Sequence, residues 1–144
     1  MTLRLPTGEV TVLLGEQIVR GRLMDMLDPT SATAGSGGPV AVRRVGADRT
    51  EGVAARRRRL EDAGDAAIVL VDRITDGLDA AGRRAVLGAL ASVAARGAAV
   101  LVDDDDCVAA LALADSTLRA DPVRGLVLEP AETAPLLEEL YRAS

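Results

Sequence analysis

The sequence predicts an α/β fold built on a parallel sheet with crossover helices, and three observations predict it. Ala67–Val71 (AIVLV) and Ala98–Val102 (AAVLV) are continuous apolar runs of the kind found in strands covered on both faces. Between them lies an Ala- and Leu-rich stretch, Asp79–Arg96, with Val86, Leu87, Leu90 and Val93 at helical spacing. Strand, helix, strand and helix then alternate from Ala67 to Ala114, the pattern of a parallel sheet.

The remaining elements follow in chain order. Val10–Leu14 is a short β-branched run ending at Gly15 and reads as a buried strand. Arg22–Leu27 suits a short helix, and Asp28–Pro39 (DPTSATAGSGGP) is a Gly-, Ser-, Thr- and Pro-rich flexible loop. Val40–Val45 reads as an edge strand, and Thr50–Ala63 as a polar, Arg-rich helix. Gly97 is a fitting stop for the helix before it. Val108–Ala114 suits a short apolar helix, Thr117–Ala120 and Leu126–Leu128 two late strands, and Thr133–Arg142 an amphipathic closing helix. The 144 residues are expected to form one domain, residues 1–144.

Composition narrows the chemistry. Apolar residues make up 49% of the chain, yet Tyr141 is its one aromatic residue, so the core must be built from Val, Leu, Ile and Ala. The net charge of −5 argues against general nucleic-acid binding, which needs a basic surface. There is no His, and all 17 basic residues are Arg. The usual general base near neutral pH and the commonest metal ligand are therefore missing. So are Schiff-base chemistry and any phosphate-binding lysine. Cys107 is alone, which excludes an intramolecular disulfide. No run reaches membrane-span length and no signal-peptide segment follows Met1, so a soluble, cytoplasmic chain is expected.

Three segments carry a resemblance. Leu5–Leu27 (LPTGEVTVLLGEQIVRGRLMDML) resembles the opening of an ATP-binding cassette (ABC) subunit, where a strand leads into a phosphate-binding loop. Ala67–Asp79 (AIVLVDRITDGLD) resembles the family's Walker B strand and D-loop. Ala98–Asp106 (AAVLVDDDD), followed by Ala112–Asp115, resembles the next strand, the switch region and the helix behind it. Three matches in the right order imply a P-loop NTPase-like three-layer core, and with it the nucleotide-site positions of the family.

Taken one by one, those positions are altered. A working phosphate loop reads GxxxxGK followed by Ser or Thr, so that backbone N–H groups cradle phosphate, Lys neutralises it and the hydroxyl binds Mg²⁺. The matching stretch is Gly15–Arg22 (GEQIVRGR). Without a gap, Arg20 falls at the second Gly, Gly21 at the Lys and Arg22 at the hydroxyl. With one insertion, Gly21 is the second Gly and Arg22 the Lys, and Leu23 stands where the hydroxyl belongs. The stretch is then either a structural connection or a residual anion site made by Arg20, Arg22 and the helix N-terminus. Asp72 matches the Mg²⁺-ordering aspartate, against the alternative of a strand-end carboxylate facing water. Arg73 stands where the family has its catalytic Glu. Asp76, Gly77, Leu78 and Asp79 match the D-loop that meets a partner subunit, although Asp76 or Asp79 also suits a helix cap. Asp105 falls at the switch His.

The run Asp103–Asp106 reads as a solvated loop with an N-cap rather than a cation site. Arg56–Arg59 covers a whole helical turn, mostly solvated or paired with acids such as Glu61 and Asp62, or else available to a partner or anion. The LSGGQ signature is absent from Asp48–Gly52 (DRTEG), and the stretch after Gly21 is too short for the helical subdomain and its Q-loop.

The expectation is therefore a pseudo-ATPase with no catalytic residues, no metal, and neither ATP nor Mg²⁺ as cofactor. It would bind a protein, a true ABC cassette or a membrane component, and lie at the periphery of a membrane complex. The alternative is a nucleotide- or anion-binding regulatory module without hydrolysis.

Overall fold

The computed structural model describes residues 5–28, 41–121, 123 and 125–131. The elements run β1 (Val10–Leu14), α1 (Gln17–Leu27), β2 (Val42–Gly46), α2 (Val53–Asp62), a 3₁₀ turn (Ala63–Asp65), β3 (Ile68–Asp72), α3 (Ala80–Ala95), β4 (Ala99–Asp103), α4 (Cys107–Leu111), β5 (Ser116–Asp121) and β6 (Gly125–Pro130). They build one six-stranded sheet in the order β2-β3-β4-β1-β5-β6. The first five strands are parallel, and β6 pairs antiparallel with β5.

Side-chain alternation along the strands separates two cores. Val10, Val12, Val69, Val71, Val100 and Val102 point to one face, where they meet Leu60 of α2 and Val86, Leu87, Leu90 and Val93 of α3. Leu13, Leu70, Leu101 and Leu118 point to the other, against Leu23 and Met24 of α1. The result is the expected three-layer core. Gly97, at φ +106°, takes the left-handed conformation that ends α3.

Three boundaries differ from the sequence reading by three residues or more, each for a local reason. Helix α1 starts at Gln17 rather than Arg22, because Arg20, Leu23, Met24 and Leu27 share the face turned to the sheet and extend the helix. Only Gly15 and Glu16 then connect it to β1. Helix α2 starts at Val53 rather than Thr50. There, Asp48 Oδ1 accepts from both the backbone N–H and the hydroxyl of Thr50 (2.9 and 2.8 Å), which holds residues 48–51 in a turn. Helix α4 stops at Leu111 rather than Ala114. Asp115 exchanges hydrogen bonds with Val10, its carboxylate accepting the Val10 N–H and its own N–H donating to the Val10 carbonyl, and so draws the chain into β5. The expected loop beyond Asp28 and the expected helix over 133–142 lie outside the described residues. Among those described, no helix is long and apolar enough to cross a membrane.

Candidate functional site

From the end of β1 the chain passes to α1 on one face, and from the end of neighbouring β4 it passes to α4 on the other. Open α/β sheets bind ligands in the crevice outside such a reversal point. Here the crevice is lined by Leu13, Leu14, Gly15, Arg20, Asp104 and Asp105 and encloses about 200 Å³. Small-molecule sites usually enclose roughly 300–1,000 Å³.

The crevice is small because a side chain of this protein occupies it. Arg20 lies on the inner face of α1 and is only 8% exposed. Its Nη1 donates to Asp103 Oδ1 and to the Asp104 carbonyl (3.1 Å), and its Nη2 to Asp105 Oδ1 (2.9 Å). Its Nε is buried with no acceptor. Asp105 extends the network, because its Oδ2 accepts from Arg73 Nη2 at 2.9 Å. With its amide oxygen turned towards Arg73, Gln17 of α1 accepts there as well, at 2.9 and 3.2 Å. One charged net thus ties α1, the β3–α3 loop and the β4–α4 loop together across the crevice.

The carboxylates respond to burial and partners in different directions. Burial pushes Asp103 up from the usual carboxylate range, with Asp72 and Asp105 adding to the rise and Arg20 opposing it. Burial also raises Asp104, against the Thr75 hydroxyl (2.6 Å) and the Asp106 N–H (2.8 Å), which both donate to it. Asp105 is lowered, chiefly by the Arg20 hydrogen bond and further by Arg73. The expected solvated loop is therefore half right. Asp106 caps α4 by accepting the Ala109 N–H, but Asp103 and Asp104 are each only 2% exposed. Their burial follows from the strand register, which continues β4 to Asp103 opposite Asp72.

Asp72 closes β3 with a partly exposed carboxylate that an arginine engages. Arg44 of β2 donates to its Oδ2 through Nε (3.0 Å) and Nη2 (2.7 Å), and also reaches Asp25 (2.8 Å) and Asp28 (3.3 Å). Burial pulls Arg44 down, but the three carboxylates outweigh it and raise its pKa above the usual arginine value. This cluster borders an open cleft of about 410 Å³ at the sheet edge, lined by Asp28, Val42, Arg43, Arg44, Gly46 and Asp72. Arg73, beside Asp72, has a left-handed backbone (φ 53°), and its N–H donates to the Asp103 carbonyl at 2.8 Å. Its Nε lies 3.2 Å from the Asp76 carboxylate.

The D-loop match sits on the same rim. Asp79 caps α3 by accepting the Gly82 N–H at 2.7 Å, Gly77 turns at φ +80°, and Leu78 packs partly against the core. Gly21 and Arg22, by contrast, are turned away from Arg20. Arg22 projects from the exposed face of α1, so the structure brings Gly15, Arg20 and Asp72 to the rim without them. The arginine run also departs from expectation. Arg56 is buried and donates to four carbonyls, those of Asp48 (3.3 Å), Glu51 (3.0 Å), Ile74 (3.0 Å) and Asp76 (2.6 Å). Arg59 pairs with Glu51 rather than with Glu61 or Asp62, because Arg59 faces β2 and the turn that Glu51 closes.

Sequence reasoning missed Arg44 and Thr75. The adjacent Arg43 and Arg44 in an edge strand gave little sign that Arg44 would meet three carboxylates. Among the described residues, no group of three or more His, Cys, Asp or Glu is arranged to hold a metal.

No protein-family model matches the chain, and no curated protein sequence matches it. Solved structures do. An ATP-binding subunit of an ABC transporter superposes with a TM-score of 0.64 at 12% identity, over 98% of this chain and 90% of that one. The cbiO1 protein of Clostridium perfringens, part of the ABC transporter complex cbiONQ, gives 0.62 at 10% identity, over 99% and 85%. An RNase-L inhibitor gives 0.63 at 13% identity, over 96% of this chain but 38% of that one. At such identities the likeness speaks for the fold. The chain has the fold of ABC-transporter ATP-binding subunits, an α/β P-loop NTPase-like core in shortened form, with no separate helical subdomain among the described residues.

Proposed function

We propose that this chain is a non-hydrolysing, ABC-ATPase-like protein that acts by binding another protein. One observation carries the reading. The guanidinium of Arg20, held by Asp103, Asp105 and the Asp104 carbonyl, occupies the crevice where a nucleotide phosphate would have to lie. Phosphate entering there would displace an internal ion pair and meet three carboxylates. Further support comes from the two-residue β1–α1 connection, which leaves no loop to cradle phosphate, and from Asp72, which is engaged by Arg44. Arg73, a cation at the position of the catalytic Glu, cannot take a proton from water.

Protein binding is favoured by the rim itself. Ile18 and Val108, in the first turns of α1 and α4, are 70% and 71% exposed on either side of the crevice, with the loop from Asp76 to Asp79 nearby. Exposed aliphatic side chains ringed by charge suit a protein contact. The partner in this reading is a true ABC cassette or a membrane component, with the chain cytoplasmic and peripheral to the complex.

Calorimetric titration with ATP, with and without Mg²⁺ at low salt, is expected to give no heat and no thermal shift at millimolar ATP. ATP hydrolysis that disappears in Asp72→Asn would sink the proposal. A second reading, an anion- or nucleotide-binding module without turnover, is favoured by the unpaired Arg20 Nε and by the α1 N-terminus, whose Glu16 makes no side-chain cap. Micromolar ATP binding that is abolished when Arg20 and Arg22 are both replaced by Ala would select it.

A further inference from the structure

Helix α1 has an outer face that borders the crevice only at Ile18. Ile18, Arg22, Asp25 and Met26 recur at intervals that place them on one side, opposite Arg20, Leu23, Met24 and Leu27. Ile18 and Met26 are 70% and 56% exposed, two of the most exposed large apolar side chains described. Arg22 makes no ion pair among the described residues, whereas Asp25 uses Oδ1 for Arg44 and keeps a half-exposed carboxylate. Gly21 lies within the same helix, and a Cβ built on it would meet nothing within 4 Å. Glycine inside a helix is unfavourable relative to alanine, and no packing among the described residues calls for it.

We propose that two copies of this chain associate through the outer faces of α1, antiparallel about a two-fold axis. The pattern is self-complementary. When two such helices cross antiparallel with the axis midway between Leu23 and Met24, Arg22 of each copy lies level with Asp25 of the other, which gives two equivalent ion pairs. Helical side chains lean towards their own N-terminus, so the two Met26 side chains lean towards the axis and meet there. Gly21, on the opposite flank, lets the helices approach closely. A single 11-residue helix buries less than the roughly 1,200–2,000 Å² of stable complexes, so a weak, concentration-dependent dimer is expected.

Sedimentation velocity on the full chain, from about 10 µM to about 1 mM, tests this. The expected result is a monomer–dimer transition within that range. Arg22→Asp and Asp25→Arg should each weaken it roughly tenfold, two pairs being reversed at once, and the double exchange should restore it. Met26→Asp should weaken it independently, with circular dichroism confirming that each variant remains folded. A monomer throughout, a dimer indifferent to both charge reversals, or a double exchange that fails to restore it would overturn the proposal. So would a monomer that instead binds a different protein through Met26.

Discussion

Arg20 and Asp103 show how one ion pair can close a site. Both are buried, so each charge depends on the other for its solvation, and removing one partner costs far more than the pair contributes. Arg20→Leu is expected to lower stability by about 3–5 kcal/mol, roughly 10 °C in Tm for a domain of this size. Arg20→Leu combined with Asp103→Leu should recover most of that loss in the same thermal denaturation. Asp104 behaves differently, because its raised pKa means that folding disfavours its charged form. The folded state then holds its proton to higher pH than the unfolded state, and stability falls as pH rises from the ordinary carboxylate range through the folded value. Asp104→Asn keeps an acceptor for the Asp106 N–H and a partner for Thr75. It should raise Tm by roughly 2–4 °C at neutral pH and lose that advantage near pH 4, as Tm measured against pH would show. The residue identities were plain in the sequence, but their pairing was not. An Arg between Val19 and Leu23 does not reveal that an acid more than eighty positions away receives it.

At the scale of elements, helix α2 and a short 3₁₀ turn carry the chain from β2 to β3. Arg56 donates at once to the 48–51 turn and to the β3–α3 loop, so the two loops are held to one guanidinium. Carbonyl oxygens at four positions require a planar fork of donors, which an ammonium group does not supply. Arg56→Ala is expected to cost about 2–4 kcal/mol, and Arg56→Lys should recover little of it, both read by chemical denaturation. The strands and α3 were legible because their burial pattern is periodic. Val86, Leu87, Leu90 and Val93 are buried as the spacing requires, and Asp79 and Gly97 punctuate the helix at its two ends. The starts of α1 and α2 were not legible. The first depends on how far a long Arg stem can follow the sheet face, the second on an Asp48 turn that competes with helix.

Across the whole molecule, stability is graded from the middle of the sheet outward. Val69, Leu70, Val71, Val100, Leu101 and Val102 are inaccessible to solvent, with neighbours on both sides and both faces. Strands β2 and β6 form the sheet edges, and β6 is largely exposed. Native-state hydrogen exchange should therefore protect amides of β3 and β4 on the order of a hundredfold more strongly than those of β6. Equal protection across the sheet would contradict this ordering. The same gradient places the charged net at the carboxyl ends of the most rigid strands, so Asp72 and Asp103 are held in fixed register for Arg44 and Arg20.

The sequence by itself determined the α/β class, the parallel strands and the helix between them. These rest on local periodicity and residue identity, which need no knowledge of distant neighbours. Tertiary structure alone decided what fills the crevice. Arg20 could have faced solvent, bound an anion or paired internally, and the two-residue turn after β1 together with the register of β3 and β4 selected the last. A buried guanidinium takes the nearest carboxylates, and which ones are nearest is a property of the folded chain.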